Sequence, residues 1–118
     1  MNRRDKITLQ KILKYCKEIN DAMEMFHSDF EVFRNSSVFQ NSCCMCVLQI
    51  GELAKVLTKE YTDSNQDIPW KAWCGIRDVF AHQYGNLDKE SAWRTLNNDI
   101  PKLEKHCKDK LIQGKESE

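Results

Sequence analysis

Arg77-Asp78-Val79-Phe80-Ala81-His82-Gln83-Tyr84-Gly85 gathers an arginine, a histidine and a tyrosine into one short stretch. Its frame is apolar: Ile76, Val79, Phe80 and Ala81 bury, so the three polar side chains need specific destinations. A histidine near its unperturbed pKa of ~6.5 is the natural proton shuttle at neutral pH. An arginine presents a planar fork of donors that matches a phosphate. Together they suit RNA cleavage in which the ribose 2′-hydroxyl attacks the adjacent phosphorus. His82 would move protons, and Arg77 would stabilise charge growing on the phosphate oxygens. That chemistry calls for no metal and no cofactor. Tyr84 offers a face for stacking a base and a hydroxyl for a phosphate or for modification. Asp78 can orient Arg77 or His82.

Helical geometry complicates this assignment. At ~100° per residue, Tyr84 lies nearly under Arg77, whereas His82 is rotated from it by ~140°. A straight helix would not aim Arg77 and His82 at one point. Either the helix loosens before Gly85, or the site is built across two chains.

The elements that must position these residues are all helical. Leu9, Ile12, Leu13, Cys16, Ile19, Met23 and Phe26 form one stripe, which predicts a helix from about Asp5 to Phe26. Ser28 and Glu31 have capping-box spacing. Asn35-Ser36-Ser37 predicts a bend, because short polar side chains compete for backbone hydrogen bonds. Phe39, Cys43, Cys46, Val47, Ile50, Leu53, Ala54, Leu57 and Tyr61 predict a second long helix over about Val38–Tyr61. Gly51 inside it suggests close approach by another helix, and Glu52 could lean toward a neighbouring basic group. Pro69 opens the next helix, with Asp67 a candidate cap, Trp70 and Trp73 as anchors, and Gly85 as the stop. Asp88 can cap a further helix carrying Trp93, Leu96, Ile100, Leu103, Cys107 and Leu111. Pro101 should interrupt or kink it near Ile100, leaving room for two short helices. No segment alternates with period two. The fold class is therefore all-α, an up-and-down bundle of four to five helices.

Length and charge set the bounds. The 118 residues form one expected domain, 1–118, whose polar tail from Gln113 should fray. Eighteen Lys plus Arg balance 18 Asp plus Glu, which argues against a long, uniformly basic nucleic-acid groove. A small basic cleft, doubled in an oligomer, remains open. No leader pattern and no run approaching the ~20 apolar residues of a membrane helix is present, so a soluble, cytoplasmic protein is expected. The six cysteines include Cys43, Cys44 and Cys46, but no second metal half-site accompanies them. His27 and His106 stand isolated, so small buried thiols are expected and no metal site.

Beyond these readings, the stretch Arg77–Tyr84 resembles the motif of Arg, four residues, His, one residue, Tyr that marks the HEPN superfamily in its HepT-like branch. Ile50-Gly51-Glu52-Leu53-Ala54 is similar to that family's Ile-Gly-Glu-x-Ala segment. Ile68-Pro69-Trp70, Gly75-Ile76, Gly85-Asn86-Leu87-Asp88 and Asp99-Ile100-Pro101-Lys102-Leu103 also fit its pattern. The resemblance implies a homodimer of helical bundles in which Arg77 and His82 meet at a cleft between protomers. It implies a metal-independent ribonuclease, the toxin of a toxin–antitoxin pair. The antitoxin would be a minimal nucleotidyltransferase able to transfer AMP to Tyr84. The RNA substrate is unnamed by sequence, tRNA being one candidate. The chain departs from its relatives at Cys43-Cys44-Met45-Cys46, where they often carry charge on the second helix. A non-catalytic helical module that partners a nucleotidyltransferase is the alternative, and a purely structural helical dimer a third reading.

Overall fold

A computed structural model describes residues 1–82 and 88–116, and the side chains of 1–77 and 88–113. Four long helices build the body: α1 (Arg3–Met25), α3 (Ser37–Ala54), α5 (Trp70–His82) and α7 (Ile100–Glu116). Three short helices link them: α2 (Phe30–Asn35), α4 (Lys59–Ser64) and α6 (Lys89–Arg94). A π-helical turn, Thr95–Asp99, joins α6 to α7. Among the described residues there is no strand. Helix α1 packs against both α3 and α7, and α3 packs in turn against α5.

The stripes meet in one core. Leu9, Ile12, Cys16 and Ile19 of α1 are wholly buried with Phe39, Cys43, Val47 and Ile50 of α3 and Ile100, Leu103 and Cys107 of α7. Phe26 stacks on Phe39 with ring centroids 4.5 Å apart, and Phe33 meets the same ring edge-on at 5.1 Å. Cys43, Cys44 and Cys46 are core thiols, as expected. Burial pushes Cys43 and Cys46 up to about 12 and Cys44 up to about 11, with Glu18 adding to the effect on Cys46. They are therefore packing groups that stay protonated at neutral pH.

Helix ends differ from the sequence expectation in ways that have physical causes. Asp29, not Ser28, caps α2: its side chain accepts from the Val32 amide at 3.2 Å. Ser28 has φ 49 and His27 φ 60, so both finish the turn after α1 in the left-handed region. A residue so placed cannot adopt the extended backbone of an N-cap. Glu31 instead pairs with Arg34. The bend at Asn35–Ser37 is present, and the Ser36 hydroxyl caps α3 by accepting from Phe39 at 3.2 Å.

The expected single helix over Val38–Tyr61 is two. Helix α3 ends at Ala54, and Thr58 caps α4 by accepting from the Tyr61 amide at 3.2 Å. Thr58 is itself held from far along the chain. The buried Asp5 carboxylate accepts from the Thr58 amide at 2.9 Å and from its hydroxyl at 2.7 Å. Near Pro101 the chain does not stop. The wide π turn over Thr95–Asp99 precedes it, easing the contact between the proline ring and the carbonyl four residues back. Helix α7 then runs from Ile100 to Glu116. Asp88 caps α6 as anticipated, accepting from Ser91 at 3.1 Å.

Candidate functional site

Helices α3 and α5 cross at Gly51. A Cβ there would fall 2.8 Å from the Trp73 carbonyl oxygen and 2.8 Å from Cγ2 of Ile76, so only glycine permits this approach. The crossing brings the next residue of α3 beside the next turn of α5. Glu52 Oε1 accepts from Arg77 Nη1 at 3.2 Å. The same oxygen accepts from Lys55 Nζ at 3.3 Å. Glu52 thus does lean toward a basic neighbour, and that neighbour is Arg77.

All three side chains face water: Arg77 is 61% exposed, Lys55 47% and Glu52 40%. Hydrogen bonds from Lys55 and then Arg77 hold the Glu52 carboxyl below the ordinary carboxylate range. Exposed ion pairs contribute little stability. What this one fixes is one donor of the guanidinium, Nη1, while the side chain as a whole stays 61% exposed. Cys74 lies alongside, half-buried, its thiol pushed up by burial and shifted oppositely by Lys55 and Glu52.

Of the other sequence candidates, Asp78 and His82 belong to α5, which is continuous from Trp70 through His82. No loosening separates positions 77 and 82, which therefore leave the helix axis ~140° apart. The side chains of Asp78 and His82 lie outside the described residues, as does all of Tyr84. Of the four candidates, Arg77 is the one whose side chain lies within the described residues.

A second polar constellation had no sequence signal. His106, 5% exposed, is bonded on both ring nitrogens. Its Nε2 meets the Tyr61 hydroxyl at 2.6 Å, and its Nδ1 meets Asp67 Oδ2 at 2.7 Å. In the tautomer whose Nδ1–H donates to Asp67 Oδ2, Nε2 accepts from the tyrosine hydroxyl. Trp70 stands edge-on to the imidazole at 5.5 Å. His106 is thus not isolated, and Asp67 serves it as acceptor. Burial pushes the Tyr61 phenol up, so it is a donor and not a phenolate nucleophile. The triad ties α4 and the connection before α5 to α7. Partners 39 and 45 residues away in sequence leave no local trace. A cleft of about 420 Å³ opens nearby, lined by Asp5, Thr58, Tyr61 and Lys110 among others, and Arg77 is not in its wall.

Comparison with known proteins adds the context for this geometry. A protein named as an RNase from Methanocaldococcus jannaschii is 33% identical over 118 residues, covering 98% of both chains. Another so named, from Caldanaerobacter subterraneus, is 31% identical over 91% of this chain and 94% of its own. A protein named ribonuclease HepT from Thermococcus cleftensis is 28% identical over 75% of this chain and 86% of its own. No solved structure gives a significant match. The family described as ribonuclease HepT-like matches residues 12–109, which span α1 to α7 and include the whole Arg77–Tyr84 stretch. With that match over most of the chain, and relatives aligned over nearly their whole length, the chain belongs to the HepT-like ribonuclease family.

Proposed function

We propose that this protein, acting as one helical domain over 1–118, is a metal-independent endoribonuclease and the toxin of a toxin–antitoxin pair. Membership of a ribonuclease family sets RNA cleavage as the class of activity. The observation that carries the finer reading is the water-facing Arg77 guanidinium, anchored on one edge by Glu52 at 3.2 Å. Such a fork is poised for a phosphate that arrives from solvent.

In the reaction, His82 takes the proton from the ribose 2′-hydroxyl as its oxygen bonds to phosphorus. Arg77 stabilises the extra charge on the non-bridging oxygens. The bond to the 5′-oxygen breaks, and that oxygen takes a proton back from histidine. The products are a 2′,3′-cyclic phosphate and a free 5′-hydroxyl. Positions 77 and 82 diverge around a continuous α5, which favours a homodimer cleft where Arg77 of one protomer serves with His82 of its partner. Asp78 is assigned an orienting role, and Tyr84 is the residue that a minimal nucleotidyltransferase antitoxin adenylylates.

The test is the wild-type protein on total RNA and on tRNA in the presence of a metal chelator. Cleavage that His82→Ala and Arg77→Ala both abolish is expected. If the wild type makes no cut that His82→Ala removes, the nuclease reading is wrong. A balanced charge of 18 cationic against 18 acidic residues favours the second reading, a non-catalytic module that binds a nucleotidyltransferase. In that case Arg77→Ala and His82→Ala would slow growth no less, or no more, than the wild type does.

A further inference from the structure

We propose that Lys55 is a second phosphate-binding cation of the RNA cleft, held beside Arg77 by the shared carboxylate of Glu52. The proposal rests on the ribonuclease reading above and extends it to a residue outside the Arg–His–Tyr stretch.

The geometry is unusual in one respect. Lys55 Nζ at 3.3 Å and Arg77 Nη1 at 3.2 Å lie on the same oxygen, Glu52 Oε1. One carboxylate therefore neutralises only half of the charge of the two cations it holds, and among the described residues the group of Glu52, Lys55 and Arg77 keeps a net positive charge. Arg34–Glu31 and Lys105–Asp109, by contrast, are one-to-one pairs within a single helix. A chain with no net charge cannot attract a polyanion through its overall field, so its grip on RNA has to be local. This cluster spans two helices and carries the arginine assigned to the reacting phosphate.

Position strengthens the case. Lys55 is the residue that closes α3, on the exposed turn before the Thr58 cap, and its ammonium swings on a flexible stem. Glu52 limits that swing to the neighbourhood of Arg77. An RNA strand places phosphates at regular intervals. With Arg77 on the scissile phosphate, a neighbouring phosphate falls to the next available cation, and Lys55 is held there. Arg77 supplies the fork at the reacting centre; Lys55, as a point charge, supplies position along the strand without reading sequence. Glu52 is then a positioning residue for both.

Binding of a single-stranded 2′-O-methyl RNA oligonucleotide, followed by fluorescence anisotropy across a salt series, tests this. The methyl groups block attack by the 2′-oxygen, so the readout is independent of cleavage. Each phosphate contact to a single strand contributes about 0.7 to the slope of log affinity against log salt. The Lys55→Met variant should lose about 0.7 of that slope, whereas Lys11→Met, on the exposed face of α1, should lose none. On cleavable RNA, Lys55→Met should raise KM several-fold with kcat little changed. An unchanged slope and KM for Lys55→Met overturns the assignment, as does an equal loss for Lys11→Met or a wild type that binds no RNA. A protein that binds with a Lys55-dependent slope yet cuts nothing supports the Lys55 assignment while removing the nuclease reading. One that cuts but ignores Lys55→Met does the reverse.

Discussion

A methyl group on Gly51 would lie 2.8 Å from the carbonyl oxygen of Trp73, so the distance between α3 and α5 is set by the absence of a side chain. Backbone cannot retreat as a flexible side chain can. Gly51→Ala should therefore destabilise the fold by about 1–2 kcal/mol net, even though alanine is the better helix former by about 1 kcal/mol. Cleavage should fall with it, since the shift moves Arg77. Gly75, exposed and with nothing within 4 Å of its would-be Cβ, is the control: Gly75→Ala should stabilise by about 0.5–1 kcal/mol. Urea midpoints of the two variants against wild type check both signs.

Removing the Glu52 charge should separate aim from affinity. Glu52→Gln leaves Arg77 and Lys55 in place but without their common anchor. Loss of aim at the reacting phosphate should lower kcat about ten- to a hundredfold. KM should change much less than kcat, because Lys55 loses the carboxylate that holds it beside Arg77 while the site becomes more positive, two effects of opposite sign. A Glu52→Gln enzyme with raised kcat would mean that the carboxylate merely competes with RNA for the two cations.

Alkaline pH should unfold this protein early. Burial pushes Cys43, Cys46 and Cys107 up to about 12 and Cys44 up to about 11. Between the ordinary thiol range and those values the folded chain keeps protons that the unfolded chain releases, so stability falls as pH rises. The loss is about 1.4 kcal/mol per pH unit for each such thiol. It is absent below the ordinary thiol range, where both states are protonated. Denaturant midpoints at pH 7, 9 and 10 should show the decline, and Cys43→Val should make it shallower.

Tyr61→Phe should be disproportionately damaging for the loss of one oxygen. It removes the donor from His106 Nε2, which is buried and 2.6 Å away. An unsatisfied buried acceptor costs about 1–3 kcal/mol. Thermal unfolding should register the drop, and the RNA-cleavage rate below the transition should not change if the triad is a structural tie.

The adenylylation proposed for Tyr84 predicts a covalent mark. Incubation with a minimal nucleotidyltransferase of the proposed antitoxin class and ATP should add the mass of AMP, and Tyr84→Phe should prevent it. Labelling retained in that variant would place the modification on another residue.

The helices were written locally. The Asp88 cap and the Asn35–Ser37 bend depend on neighbours within a turn, and both are where the pattern placed them; the apolar stripes likewise fall on helices, although the one over 38–61 is shared between α3 and α4. Arg77 was visible as a residue type at a suggestive spacing, and Gly51 as a helix residue that wanted a reason. Neither could be given a partner from sequence, because Trp73, Glu52 and Arg77 meet only when two helices cross. The same holds for the break at Thr58, fixed by Asp5 across 53 residues, and for His106, which finds Tyr61 and Asp67 only after α7 folds back. Sequence determined which residues form helices and which side chains carry chemistry, since those follow from local periodicity and residue type. Tertiary structure alone decided what those side chains touch: Lys55 joined Arg77 because one glutamate, brought close by one glycine, holds both.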